Sequence, residues 1–129
     1  MRKNNSFAQS LSHALSGLII LLKYERNSRF HLLATALVIL VSILVHISLI
    51  EWTLIILVIF SVWIAEAFNT SLEQVFDVVE PRENKLVKAG KDISAGAVLL
   101  TAILSVIVGI IILGPPIIEI LLSFLQNYK

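Results

Sequence analysis

The feature that most constrains this chain is a polar stripe growing directly out of a membrane-spanning run. Residues Trp52 to Ala65 are almost wholly apolar, and Glu66-Ala-Phe-Asn-Thr-Ser-Leu-Glu-Gln-Val-Phe-Asp77 follows without a break. A helix advances about 100° per residue, so Glu66, Asn69, Thr70, Glu73 and Asp77 fall on one face. An ionisable residue inside a membrane segment costs about 2.5–3.5 kcal/mol on insertion scales, and is retained where it works or pairs. The rest of the chain is read as delivering partners to this stripe.

Composition sets the surroundings. Of 129 residues, 57% are hydrophobic and 15% charged, where a soluble domain has roughly half and a quarter. Mean hydropathy is +0.92. The apolar residues gather in long runs, so an all-α integral membrane protein is expected. It would have an N-terminal amphipathic interfacial helix, three transmembrane helices and no separate soluble domain. A net charge of +1, with no basic cluster interleaved with aromatics, points away from nucleic acid. The chain has no cysteine, which excludes disulfides and thiolate metal sites. No small-residue cleavage site follows Met1-Arg2-Lys3-Asn4-Asn5-Ser6, so the first span is expected to serve as the insertion signal.

In residues 6–22, Phe7, Leu11, Leu15, Leu18 and Leu22 recur at helical spacing. Ser6, Gln9, Ser10, Ser12, His13 and Ser16 take the other side. This segment is too polar to span, and is expected to lie flat in the interface. A dense polar patch, Lys23 to His31, follows. Arg26 and Arg29 read as cytoplasmic anchors and Tyr24 as an interface aromatic. Glu25 and Arg29, four apart, are spaced for an ion pair, either structural or part of a site.

Span one is expected over 30–49, with His46 near its far end. A short connector, Ile47 to Glu51, makes spans one and two an antiparallel pair. Trp52 opens span two, 52–77, as an interface anchor. The linker Val78 to Gly90 holds Glu80, Pro81, Arg82, Glu83, Asn84, Lys85 and Lys88. Pro81 breaks the helix and Gly90 gives a flexible approach to the next. Lys91-Asp92 opens span three, 92–113, with Asp92 as N-cap. Ala97, Thr101, Ser105 and Gly109 form a small-residue packing face. Gly114-Pro115-Pro116 is expected to end the span, leaving 115–129 as an interfacial helix around Glu119 on the outer side.

Basic residues orient the chain. Arg2, Lys3, Lys23, Arg26 and Arg29 precede span one, and Arg82, Lys85, Lys88 and Lys91 precede span three. The connector between spans one and two has none, and the tail has only Lys129. The positive-inside rule places the N-terminus and the linker in the cytoplasm. Glu25, the stripe, the linker and Lys91-Asp92 then converge at one level of the membrane.

Carboxylates and carboxamides suit Mg²⁺, whereas three scattered histidines without cysteine do not make a zinc site. Arg82, Lys85, Lys88 and Lys91 suit phosphates. Glu66, at membrane depth, is placed to take a proton from a lipid hydroxyl. Together these fit phosphoryl transfer from ATP. There is no Walker A motif and no glycine-rich kinase loop. On these residues alone, a small proton-coupled transporter with Glu66 as coupling acid stays open, as does a non-catalytic scaffold whose charges merely pair.

Glu66-Ala-Phe-Asn69-Thr-Ser-Leu-Glu73 with Asp77, followed by Lys91-Asp92-Ile-Ser-Ala-Gly-Ala-Val, resembles the prokaryotic diacylglycerol kinase family. With Glu25-x-x-x-Arg29 and the three-span layout, the likeness runs from residue 6 to about 113. The Glu25 to His31 segment and the Glu51-Trp52 connector look closer to the Gram-positive branch, the undecaprenol kinases. The resemblance implies a homotrimeric lipid kinase with sites shared between subunits at the cytoplasmic boundary of the bacterial inner membrane. It implies ATP as phosphate donor, Mg²⁺ as cofactor and undecaprenol as acceptor, with diacylglycerol the alternative. It makes Glu66 the catalytic base and Glu25 and Glu73 the Mg²⁺ ligands bridging to ATP. Asn69 would orient the reacting groups. Asp77, Lys91 and Asp92, with the segment holding Arg82 and Asn84, would meet the nucleotide. Asn27, Arg29 and His31 would border the lipid entrance. The family's best-known branch carries an aromatic or basic residue on its first helix near the nucleotide, where this chain has Ser6 and His13.

Overall fold

In a computed structural model, residues 6–82 and 84–127 are described, apart from the Tyr24 side chain. The expectations for Tyr24 as an interface aromatic, for Glu83 and for the residues of both termini lie outside the described residues. The described chain is all-helical: α1 (Phe7–Tyr24), α2 (Arg26–Leu44), α3 (Leu49–Val79) and α4 (Lys85–Asn127). The last three are long and apolar enough to cross a membrane.

Ser6 caps α1 in a reciprocal box with Gln9. Its hydroxyl accepts from Gln9 N–H at 3.4 Å, and its own N–H donates to Gln9 Oε1 at 3.1 Å. Glu25, extended at φ −93° and ψ 121°, is the single residue between α1 and α2. That break removes the helical i,i+4 geometry, and the expected Glu25–Arg29 pair does not form. Arg29 instead closes the end of α1, donating from Nε to the Leu22 carbonyl at 3.3 Å and from its terminal nitrogen to the Lys23 carbonyl.

The spans shift from their expected bounds because of caps. The first starts at Arg26 rather than 30 and stops at Leu44 rather than 49. There His46 takes a positive φ of 54°. His46 N–H donates to Ile43 O at 3.2 Å and Ile47 N–H to Ser42 O at 3.4 Å, the double bond of a Schellman ending. The second span starts at Leu49 rather than 52, because Ser48 and Glu51 form another capping box. The pair is antiparallel, tied at mid-depth by Trp63 Nε1 donating to Thr35 Oγ1 at 3.2 Å.

Pro81 does interrupt the chain between α3 and α4. The expected N-cap at Asp92 is wrong. Asn84 holds that place, its Oδ1 accepting from Leu86 N–H at 2.9 Å, and Asp92 lies well inside α4. Gly90 is no flexible approach either. It sits within α4 against Phe76 of α3, and a Cβ there would lie 2.7 Å from Phe76 Cζ.

The expected stop at Gly114-Pro115-Pro116 is also absent: α4 runs through both prolines to Asn127. Each proline removes one helical hydrogen bond, but unwinding a segment this apolar would strand more backbone groups from any partner. The turns before the prolines are anchored, with Ile112 and Leu113 buried against Ile55 in a cluster rimmed by Val38, Val41, Val45, Ile47, Ile59 and Val108. The Ala97-to-Gly109 face is not a close-packing surface within the chain. A Cβ on Gly109 meets nothing within 4 Å, and Thr101 and Ser105 turn their hydroxyls back to Val98 O and Ala102 O. Packing is concentrated between α3 and α4.

Candidate active site

The stripe on α3 descends from burial to exposure. Glu66 is 2% exposed, Asn69 8% and Thr70 7%, Glu73 is half-buried and Asp77 is exposed. Burying a carboxylate is costly unless neighbours answer it. Around Glu66 those neighbours come from α2 and the α1–α2 break. His31 Nε2 stands 3.9 Å from Glu66 Oε2. Ser28 also lies beside it, whereas the Glu25 and Glu73 carboxylates repel its charge. Even so, Glu66 Oε2 and Ser28 Oγ are buried side-chain atoms with no hydrogen-bond partner among the described residues. A polar group left so is expected where a reaction needs it.

Two cavities flank the stripe. One, of about 290 Å³, is lined by Asn27, Phe30 and His31 of α2, Glu66 and Asn69 of α3, and a small apolar wall of α4 around Ala95 and Ala102. The other, of about 600 Å³, is formed by Asp77, Glu80, Pro81, Arg82 and Asn84 with Lys85, Lys88 and Lys91 of α4. The first presents a carboxylate beside apolar surface. The second presents four cations on a polar rim, a phosphate-binding composition. Within it, Lys91 Nζ donates to Asp77 Oδ1 at 2.5 Å and Arg82 Nε to Glu80 Oε1 at 3.1 Å.

A hydrogen-bonded bridge joins the two. Asn69 Nδ2 donates to Glu73 Oε1 at 3.2 Å. Its Oδ1 accepts from Ser94 Oγ at 2.7 Å, a hydroxyl that also lies 2.8 Å from the Lys91 carbonyl. The turn of α4 that carries Lys91 is thereby tied to Asn69 and, through it, to Glu73.

The structure thus gathers Glu66, Asn69, Asn27 and His31 at one cavity, and Asp77, Arg82, Asn84 and Lys91 at the other, with Glu25 and Glu73 close to Glu66. Asp92 is exposed and lines neither cavity, and Arg29 is spent on the end of α1. Ser28 and Ser94 were missed as site residues. Ser94 lies three residues after Lys91, one turn along the same face, and that spacing was the available signal. Nothing in the sequence distinguishes Ser28 from the polar patch around it.

No group of three His, Asp or Glu among the described residues is placed to hold a metal ion alone. Glu25 and Glu73 offer hard carboxylate oxygens from facing segments, a donor set that fits Mg²⁺ once phosphate oxygens and water complete it.

The family model for prokaryotic diacylglycerol kinase matches residues 12–113. The chain is 38% identical over 111 residues to the undecaprenol kinase of Bacillus subtilis, covering 86% of this chain and 90% of that protein. It is 37% identical over 113 residues to a diacylglycerol kinase of Synechocystis, covering 87% of this chain and 65% of that protein. No solved structure matches.

Proposed function

Because the chain belongs to the prokaryotic diacylglycerol kinase family and is a membrane lipid kinase, we propose that it moves the γ-phosphate of ATP to the hydroxyl of undecaprenol, giving undecaprenyl phosphate and ADP. The observation that carries this reading is the bridge from Asn69, which lines the Glu66 cavity, to the Lys91 turn of the cationic cavity. It sets a membrane-depth carboxylate and a phosphate-binding rim on one helix face, about 16 Å apart from Glu66 to Asp77. The likeness to the Bacillus undecaprenol kinase, over nearly the whole of both chains, favours the polyprenol.

In this mechanism the acceptor hydroxyl enters the Glu66 cavity from the membrane side. Glu66 takes its proton as the oxygen attacks the γ-phosphorus, and ADP leaves. Lys91, Lys88, Lys85 and Arg82 hold the phosphates. Asn69, fixed at both ends, keeps Glu73 in register with Lys91. Glu25 and Glu73 would hold Mg²⁺, which would neutralise phosphate charge there. The transfer is direct, with no phosphoenzyme, because donor and acceptor meet at one boundary. Arg29 supports the site from outside it, by closing the end of α1. The protein works as a homotrimer in the bacterial inner membrane, with its N-terminus and nucleotide site in the cytoplasm. A thin core and extensive exposed apolar surface on every helix are consistent with lipid and subunit contacts.

The test is transfer of radiolabelled γ-phosphate from Mg·ATP to undecaprenol and to diacylglycerol, side by side, in mixed micelles. Label on undecaprenol is the expected result. Label chiefly on diacylglycerol overturns the acceptor and keeps the mechanism. No label on either lipid overturns the mechanism.

A further inference from the structure

A third cavity, of about 420 Å³, lies along the membrane-spanning parts of α2, α3 and α4. His31 lines both this cavity and the Glu66 cavity, so the two adjoin at that imidazole. On α4 the shared wall is one unbroken helical stripe. Ala95, Val98, Leu99 and Ala102 border the Glu66 end. Ser105, Val106, Gly109, Ile110, Leu113 and Ile117 continue it. From Ala95 to Ile117 the stripe covers about 33 Å, close to the thickness of the hydrocarbon core.

The wall chemistry identifies what can lie in it. Thr35 Oγ1 accepts from Trp63 Nε1, and Ser105 donates to Ala102 O, so each hydroxyl in the wall already has a partner within the protein. The remaining lining of α2 and α3, Ala34, Val38, Ile55, Val58, Ile59 and Val62, is aliphatic. An occupant finds ionisable groups only at the His31–Glu66 end. Gly109 keeps the middle open, since a Cβ there meets nothing within 4 Å.

We propose that this groove is the binding site for the hydrocarbon chain of the acceptor, a long chain without polar atoms whose hydroxyl ends at Glu66. The proposal rests on the kinase reading and adds how the acceptor is chosen. A chain that fills the groove gains apolar contact along its whole length, at about 25 cal/mol per Å² buried, whereas a short one leaves the outer part unused. The groove therefore selects by length.

The experiment compares kcat/KM for farnesol, solanesol and undecaprenol in wild type, Gly109→Phe and Ile111→Phe. Ile111 is at the same depth but is exposed and lines no cavity described here. The expected result is a rise with chain length in wild type. Gly109→Phe should keep farnesol turnover within twofold and lose tenfold or more on undecaprenol, and Ile111→Phe should change neither. Equal loss on both alcohols, no loss on either, or a change in oligomeric state with Gly109→Phe overturns the proposal. The last of these would assign the groove to a helix of a second copy. If wild type phosphorylates only diacylglycerol, the acceptor reading fails, and short- and long-acyl diacylglycerols give the same comparison. If it phosphorylates no lipid, a diazirine-bearing polyprenol decides: cross-linking at Ser105 to Ile110 upholds the groove, and its absence overturns it.

Discussion

Asn69 Nδ2 lies 3.2 Å from Glu73 Oε1, and that bond fixes which way round the Asn69 carboxamide sits, because a carboxylate only accepts. With its nitrogen held by Glu73, the amide oxygen is left to accept from Ser94 Oγ, 2.7 Å away. Both Ser94 and Asn69 are buried at 8% exposure, so water does not replace the bond readily. A net hydrogen bond is worth about 1 kcal/mol, roughly a factor of five in a rate. Ser94→Ala should therefore lower kcat about fivefold to tenfold with KM for ATP within twofold, and Ser94→Thr should recover most of the loss. Steady-state kinetics check this. Unchanged kcat in Ser94→Ala would show that the bridge has no part in turnover.

Glu66→Gln keeps the size and burial of the side chain and removes its capacity to take a proton. A positioned general base contributes about 10²–10⁴-fold. Turnover should fall by that range while the detergent-solubilised protein keeps its melting temperature within a few degrees. A scaffold with no chemistry would show no difference between the two proteins in any assay.

Lys91 bonds Asp77 at 2.5 Å, but Asp77 has 67% of its side chain exposed. Exposed pairs contribute about 0–1 kcal/mol to stability. Lys91→Met should thus leave thermal stability nearly untouched and raise KM for MgATP tenfold or more. Nucleotide titration separates the two effects. A large drop in stability with unchanged KM would make the lysine a structural residue.

Gly90→Ala gains about 1 kcal/mol in helix propensity but sets a methyl 2.7 Å from Phe76 Cζ. Overpacking of this kind costs about 1–3 kcal/mol. The net expectation is a lower melting temperature, restored or raised above wild type by adding Phe76→Leu. A stabilised Gly90→Ala single variant would show that the ring moves aside freely.

Much of this architecture was legible before any coordinates. The apolar runs gave the spans, and the 100° advance of a helix placed Glu66, Asn69, Glu73 and Asp77 on one face, which the fold keeps. What escaped notice was decided by local competition. Asn84 outcompetes Asp92 as N-cap because the helix is stable for two turns before Asp92, and Gly90 inside it is held by Phe76 rather than loosened. Proline stops helices in water, where a released carbonyl finds solvent. In an apolar segment that alternative is missing, and α4 continues past Pro115 and Pro116. The Glu25–Arg29 spacing presumed a continuous helix where there is a one-residue break. Ser28 and Ser94 became recognisable only once α2 and α4 were packed on α3.

The length of α4 has a mechanical consequence. Its uninterrupted apolar part, from Ile93 to Ile118, reaches about 38 Å at 1.5 Å per residue, against a hydrocarbon slab of about 30 Å, and Glu119 follows. Leaning a straight rod to fit would take about 38°, at the upper end of the 0–40° seen for membrane helices. The lysine-bearing end has little freedom to sink, since Lys85, Lys88 and Lys91 stay with water. Any bending that spares the helix so steep a lean therefore falls at the far end. Pro115 and Pro116 sit where two backbone bonds are already missing, which makes that turn the compliant joint of an otherwise stiff strut.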